Sequence, residues 1–191
     1  ALKLYQAGQF PVAVRTSRRY QIRRSSFRPK VPMSRLESFI RRLTAQRDIL
    51  DMICRDTDLI DGPVIELGLG NGRTYDHLRE RLPGRRIIAF DRVNAANLRS
   101  LPPEGDLILG EISQTAGAFA GIDAALVHAD IGSGYDDMDE LNLRWLPHLT
   151  VDLLASGGIA ASGVPLDHRE LKALPLPEGI RPGRYFLYRK G

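Results

Sequence analysis

The chain has 191 residues, 43% of them hydrophobic, and a formal net charge of +4. This length allows one sizeable buried core and excludes two large domains, and the single cysteine, Cys54, excludes an internal disulfide. No apolar run approaches the roughly 20 residues that cross a bilayer, and no segment resembles a secretory signal, so we expect a cytoplasmic protein with no membrane contact.

The excess of positive charge comes from the N-terminal segment, residues 1–32. This segment holds eight Lys or Arg residues and no acid, whereas residues 33–191 hold 19 basic and 23 acidic side chains, a net charge of −4. We therefore predict a basic tail over 1–32 and one folded domain over 33–191. We expect Met33 to be the natural start, with an organelle transit peptide or a nucleic-acid-binding arm as alternatives for the tail. Because the domain has no basic excess of its own, nucleic acid is not expected as its main partner.

Apolar runs and helical periodicities alternate along the rest of the chain. Ser34 and Glu37 form a capping-box pattern, which predicts a helix that ends near Arg55. Short apolar runs predict seven strands, at Val64–Leu67, 87–90, Leu107–Leu109, Ala124–Ala129, 158–164, 171–176 and 184–189. Further helices are predicted between them, at 72–82, 94–101 and 135–156, the last bent near Pro147. Strands that alternate with helices in this way predict a three-layer, doubly wound α/β fold with a mostly parallel sheet.

Glycine and acidic residues gather where four of the predicted strands end. They are the glycine-rich stretch 68–72, Asp91, Glu111 and Asp130. Ligands bind to such sheets at the carboxyl ends of the strands, where the strand order reverses. We therefore expect one ligand site that includes these residues.

The spacing of the glycines distinguishes between nucleotide classes. Gly68, Gly70 and Gly72 form G-x-G-x-G, whereas the dinucleotide fingerprint needs its third glycine three places after the second, where this chain has Arg73. A long side chain does not suit the close packing of helix and strand at that place, which disfavours NAD. No Lys-Ser or Lys-Thr follows a glycine run, so the phosphate-binding loop of ATPases is excluded.

The string ELGLGNG at 66–72, with Glu66 two residues before the first glycine, closely resembles the E/D-x-G-x-G-x-G motif of class I S-adenosylmethionine-dependent methyltransferases. The resemblance extends over about residues 34–191, and this first motif is its specific part. It implies a seven-stranded Rossmann-like sheet with an antiparallel last strand. It also implies S-adenosyl-L-methionine as the cofactor and methyl transfer as the reaction.

The same resemblance implies roles for individual residues. The glycine loop would wrap the methionine half of the cofactor, and Glu66 would order that loop. Asp91 would hold the ribose hydroxyls, because a carboxylate can accept hydrogen bonds from both, and Glu111 would receive the adenine amino group. The full set predicted to bind the cofactor is Glu66, Gly68, Gly70, Asn71, Gly72, Asp91, Arg92, Glu111, Ile112 and Asp130.

Catalysis of methyl transfer needs chiefly the alignment of the two reactants, because the sulfonium already activates the methyl group. Where the acceptor must lose a proton, a base is useful. Three residues are predicted to assist in removing this proton: Asp130, His128 and Tyr135. Of these, Asp130 would lie beside the reacting methyl group. The segment 162–165, Ser-Gly-Val-Pro, lacks the Asp-Asn pair that the metal-dependent catechol-type enzymes use as ligands, so no metal is predicted, with Asp167 as the one nearby acid that keeps a metal as an alternative.

The methyl acceptor is not identified by any motif. We expect a small molecule, because the folded domain has no basic face, and a homo-oligomer is possible because so short a core needs substrate contacts from elsewhere. A non-catalytic methyltransferase-like binding or regulatory module is the main alternative, and an NAD-dependent oxidoreductase is a third.

Overall fold

The computed structural model describes residues 34–55, 59–132 and 136–191. The predictions for the basic tail and for Tyr135 therefore lie outside the described residues. Within the described ranges, no helix combines the length and the apolar character needed to cross a membrane.

A seven-stranded sheet forms the centre of the fold. In chain order its strands are β1 Val64–Leu67, β2 Ile87–Asp91, β3 Leu107–Leu109, β4 Ala124–Ala129, β5 Leu154–Ser162, β6 Leu171–Ala173 and β7 Phe186–Lys190. Their spatial order is β3-β2-β1-β4-β5-β7-β6. Strands β1 to β5 run parallel to one another, and β7 runs antiparallel to both β5 and β6. The predicted mostly parallel sheet with an antiparallel last strand is confirmed, and its strand order reverses between β1 and β4.

Helices cover both faces of this sheet. They are α1 Arg35–Arg55, α2 Arg73–Arg81, α3 Ile112–Thr115, α4 Asp136–Leu143 and α5 Leu146–Leu153. Along β1, Ile65 and Leu67 belong to a buried apolar cluster with α3 and α5, and Val64 belongs to a second cluster with α1 and α2. Successive strand residues point to opposite faces, so the two clusters are the two layers between sheet and helices that the sequence predicted.

The predicted single helix 135–156 is replaced in the structure by two helices and the start of a strand. The chain forms two helices instead of one, and it takes an extended conformation at Leu154 (φ −77°, ψ 141°), where β5 begins. Pro147 lies in the first turn of α5, a position where its missing N–H removes no helical hydrogen bond. The residues at 154–156 therefore belong to the strand, which was predicted to begin only at 158.

One other helical prediction was wrong in extent. The predicted helix 94–101 is a single 3-10 turn, Leu98–Ser100, because Asn97 caps it by accepting a hydrogen bond from the Arg99 N–H. The short helix α3 after β3 was not predicted. In α1 the buried face begins only at Ala45, and the apolar side chains of its first turns, Leu36, Phe39 and Ile40, are exposed.

A bulge in β5 explains why the start of that strand escaped prediction. Ala124 pairs with Leu154 and Leu126 pairs with Ile159, so β5 uses more residues than β4 over the same distance. At Gly158 an added Cβ would lie 2.8 Å from the carbonyl oxygen of Ala124. Glycine is thus required there by close approach of two backbones.

We predict that Gly158→Ala destabilises the domain by about 1–3 kcal/mol, because two backbones must separate to admit the methyl group. The matched control is Gly117→Ala, where an added Cβ would meet no atom within 4 Å and the glycine has no positive φ. Urea unfolding of both variants provides the measurement. Equal free energies of unfolding for the two variants would contradict this account of the bulge.

Candidate functional site

A cleft of about 590 Å³ opens at the carboxyl ends of the central strands. It lies where the strand order reverses, so the loops after β1 and β4 diverge and leave room between them. Helix α1 forms one wall through Leu43, and the α4–α5 segment forms another through Leu141 and Trp145. The predicted site residues that line the cleft are Gly68, Gly70, Asn71, Asp91, Arg92, Glu111, Ile112 and Asp130.

The three glycines of the loop after β1 have different functions in the structure. All three have positive φ, 91° at Gly68, 53° at Gly70 and 83° at Gly72. An added Cβ would lie 2.8 Å from Ile131 at Gly68 and 2.6 Å from Ser100 at Gly72, but it would meet no atom within 4 Å at Gly70. The outer two glycines therefore allow close packing, and Gly70 leaves open space in the cleft where a ligand can approach the backbone.

Asp91, at the end of β2, connects this loop to the neighbouring strand. Its Oδ2 accepts a hydrogen bond of 2.7 Å from the Gly70 N–H, and its Oδ1 accepts one of 2.7 Å from the Arg92 N–H and a longer one of 3.4 Å from the Val93 N–H. A carboxylate has about four acceptor positions, so Asp91 can still accept hydrogen bonds from a ligand. Glu111 follows β3, and Ile112 after it is buried with one side toward the cleft.

A chain of buried polar groups lies beneath the glycine loop. The Thr74 hydroxyl donates to Glu66 Oε1, Glu66 Oε2 is 2.7 Å from His128 Nδ1, and His128 Nε2 is hydrogen-bonded to the Tyr185 hydroxyl. Glu66 and His128 face each other in the register of β1 and β4, and both side chains are fully buried. The structure does not bring Glu66, Gly72 or His128 to the cleft lining, and both ring nitrogens of His128 already have partners within the protein.

Electrostatics favours the protonated form of His128. Burial by itself lowers the pKa of this imidazole, but the charge of Glu66, the hydrogen bond between them and the charge of Asp130 outweigh burial and raise it. The pKa of Tyr185 is raised well above its usual range, first by burial and then by the charges of Asp130 and Glu66. Tyr185 therefore stays neutral, and below the pKa of His128 both ring N–H groups donate, one to Glu66 and one to Tyr185.

Helix α1 brings residues to the cleft that the sequence did not single out. Arg42 Nη1 lies 3.7 Å from Asp130 Oδ1. Gln46, one turn further along, is 2% exposed, and neither its Oε1 nor its Nε2 has a hydrogen-bond partner. A signal was available, because Gln46 interrupts the apolar stripe of α1 between Leu43 and Leu50. The other lining residues not predicted are Leu43, Leu69, Arg73, Thr74, Ile131, Leu141, Asn142 and Trp145.

Two polar contacts fix the position of α1 over the cleft. Arg81 Nε of α2 lies 2.7 Å from Asp51 Oδ1 near the end of α1. Arg184 donates to the Ser38 hydroxyl near its start, over 2.8 Å. In the described part of the chain, no group of three or more His, Cys, Asp or Glu side chains is placed to hold a metal ion.

The raised pKa of His128 predicts a pH-dependent stability. Since the folded state binds this proton more tightly than the unfolded state, the stabilisation is complete below the unfolded pKa of about 6.5 and is lost as the pH rises through the higher folded pKa. In urea unfolding, the advantage of the wild type over His128→Gln should therefore shrink as the pH rises through that range. Ile159→Val, a substitution in the core that removes no titrating group, should show the same difference from the wild type at every pH. A pH-independent difference for His128→Gln would contradict the assignment.

Comparison with solved structures identifies relatives of the same fold. Magnesium protoporphyrin IX methyltransferase from Synechocystis PCC 6803, solved with bound S-adenosylmethionine, is 12% identical with a TM-score of 0.53, and the match covers 80% of this chain and 81% of that chain. A search of curated proteins finds no match. At 12% identity, the likeness to the Synechocystis enzyme supports the fold alone.

Two stronger matches support the family. An S-adenosyl-L-methionine methyl transferase from Silicibacter pomeroyi DSS-3, solved by crystallography, is 43% identical in sequence to this chain. Its structure matches with a TM-score of 0.77 over 83% of this chain and 99% of that chain. The family model described as S-adenosyl-L-methionine methyltransferase matches residues 33–190. This chain therefore belongs to the S-adenosyl-L-methionine methyltransferase family, as its glycine loop and its sheet predicted.

Proposed function

We propose that the cleft holds S-adenosylmethionine across the strand ends, with its adenosine half toward β2 and β3 and its methionine half toward β1 and β4, and that the methyl group passes to a small-molecule acceptor beside Asp130. The observation that carries this proposal is the order of the lining residues. Glu111, Asp91, Gly70 and Asp130 follow one another across the neighbouring strands β3, β2, β1 and β4. An extended ligand along this row would meet them in turn.

The groups at the β2 and β3 end suit an adenosine. Two adjacent ribose hydroxyls are donors, and Asp91 keeps acceptor capacity for them beside its bonds to the N–H groups of Gly70, Arg92 and Val93, the last of which is long at 3.4 Å. Glu111 would accept from an exocyclic amino group, and Ile112 offers an apolar surface to a ring. The open space at Gly70 leaves room for the chain between ribose and methionine.

At the other end the protein has to align two reactants and exclude water. When bound, S-adenosylmethionine supplies a methyl group on a positively charged sulfur, which the acceptor displaces as the leaving group. Asp130 follows β4 and lines the cleft, where its carboxylate would hold the acceptor and take the proton that an acceptor O–H or N–H loses. His128 is proposed to position the strand ends rather than to act as the base, because both its ring nitrogens are occupied.

A small acceptor fits the dimensions and charge of the domain. A volume of about 590 Å³ lies in the range of small-molecule and cofactor sites. The cleft is bordered by α1 and by the α4–α5 segment, so an acceptor would enter between these walls. Residues 33–191 carry a net charge of −4, which does not favour a nucleic acid.

Asp91→Asn should weaken binding of S-adenosylhomocysteine, the demethylated product, because the variant loses charged hydrogen bonds to the ribose. The loss of about 1.5–3 kcal/mol corresponds to about tenfold to hundredfold weaker binding in isothermal titration calorimetry. Asp152→Asn is the matched control, since Asp152 is exposed on α5 outside the cleft lining and its variant should bind like the wild type. Unchanged affinity of Asp91→Asn would show that the ribose lies elsewhere.

The acceptor class can be tested with methyl-labelled S-adenosylmethionine and a cell extract divided by size. We expect label to enter the small-molecule fraction with the wild type. Asp130→Asn should transfer much less label while it still binds S-adenosylhomocysteine, because Asp130 is proposed to act on the acceptor. Label that appears only in nuclease- or protease-sensitive material would contradict a small-molecule acceptor.

The domain boundary at Met33, the cytoplasmic location and the homo-oligomer stay predictions from the sequence. Tyr135 likewise stays a predicted contributor to the acceptor side of the cleft.

A further inference from the structure

We propose that Gln46 of α1 binds the amino acid head of S-adenosylmethionine, with its amide oxygen accepting from the α-ammonium group and its amide nitrogen donating to the α-carboxylate. This inference rests on the proposed function, since it takes the orientation of the cofactor from there. It adds a residue outside the glycine motif to the binding site and assigns it a specific part of the ligand.

The starting observation is an unpaired amide in a buried place. Gln46 is 2% exposed, and both polar atoms of its side chain are without a hydrogen-bond partner among the described residues. The amide lies close enough to the Tyr185 hydroxyl to lower its pKa, against the larger opposing effects of burial and of the charges of Asp130 and Glu66, but neither amide atom completes a hydrogen bond there. A buried donor or acceptor left unpaired costs about 1–3 kcal/mol. A cost of this kind at a cleft wall indicates that a ligand supplies the missing partners.

The position of Gln46 selects the part of the ligand. It lines the cleft together with Arg42 of the same helix face, and it also lines a smaller cavity of about 340 Å³ with Arg73 and Thr74, which directly follow the glycine loop. Gln46 thus lies at the β1 and β4 end of the cleft. With the ribose at Asp91, the far end of an extended cofactor comes to this place.

The chemistry of the ligand head matches the free amide. An amino acid head carries a positive donor group and a negative acceptor group on one carbon, and a carboxamide offers one acceptor and one donor side by side. Arg42, paired loosely with Asp130 at 3.7 Å, supplies a positive charge nearby for the carboxylate. The polar network behind Gln46 holds the Tyr185 hydroxyl in place through His128, so Gln46 faces a fixed surface on its protein side.

The test compares two adenosine thioethers, of which one carries the amino acid head and the other ends in a methyl group. S-adenosylhomocysteine has this head, and 5′-methylthioadenosine lacks it. Gln46→Leu should weaken S-adenosylhomocysteine by at least about tenfold in calorimetry, because hydrogen bonds to charged groups are lost. The affinity for 5′-methylthioadenosine should stay within about twofold, the scatter expected for independent sites.

Thermal unfolding adds a readout that a merely structural role would not give. Because Gln46→Leu replaces an unpaired buried amide by an apolar group of similar size, the ligand-free melting temperature should not fall. Thr150→Val is the matched control, since the Thr150 hydroxyl is also buried and unpaired but lies in α5, outside the cleft lining. This variant should bind both ligands like the wild type. Gln46→Met serves the same comparison if the leucine variant does not fold.

Each outcome separates the two proposals. Equal losses for both ligands, or no loss for either, would overturn the role of Gln46 and leave the proposed cofactor site intact. A wild type that binds neither ligand would overturn the proposed function itself, and this inference with it. Selective weakening of S-adenosylhomocysteine is the result we expect.

Discussion

The hydrogen bond between Glu66 and His128 is the interaction on which the geometry of the site depends. It joins β1 and β4 at the point where the strand order reverses, and both side chains are fully buried. A buried carboxylate without partners is strongly destabilising, so the folded state requires each partner in place. Thr74 supplies one from the start of α2, His128 supplies another from β4, and Tyr185 completes the chain from the segment before β7. Residues of β1, α2 and β4 thus meet at one carboxylate, and Tyr185 is joined to it through His128.

The consequence for the cleft follows from the spacing along the strands. Gly68 is two residues after Glu66, and Asp130 is two residues after His128. The Asp130 N–H also donates to the Leu67 carbonyl over 3.1 Å, which ties the two strand ends directly. The buried pair therefore sets the distance between the loop proposed to hold the cofactor and the carboxylate proposed to receive the acceptor. Alignment of the reactants is the main demand of methyl transfer. The buried hydrogen-bonded pair beneath the site meets this demand by fixing the two strand ends.

The walls of the cleft come from a different part of the fold. Helix α1 precedes the sheet in the chain and covers it together with α2, and its polar residues Arg42 and Gln46 interrupt an otherwise apolar face. The α4–α5 segment adds Trp145 on the other side. The helices of the fold thus enclose the cleft, and α1 places a charged group and an amide in its lining.

Much of this protein was readable from its sequence by local patterns. The alternation of apolar runs with helical periodicities predicted the seven strands and the layers, because strands buried on both faces need continuous apolar residues. The string ELGLGNG predicted the family, and Asp91, Glu111 and Asp130 were placed at one site because carboxyl ends of parallel strands share an edge. These predictions depend on short segments whose conformation and position are set by neighbouring residues.

Other features were decided only by tertiary packing. The start of β5 could not be predicted, since the bulge near Gly158 depends on the approach of the Ala124 carbonyl. The sequence made His128 a candidate base. Packing instead buries it between Glu66, which is 62 residues away in the chain, and Tyr185, which is 57 residues away. Gln46 reaches the cleft because α1 packs over the strand ends. Sequence alone determined the fold, the family and the edge of the sheet that carries the site, because these follow from local periodicity and a contiguous motif. Tertiary structure decided which side chains line the cleft and which support that lining from behind, because this depends on contacts between segments far apart in the chain.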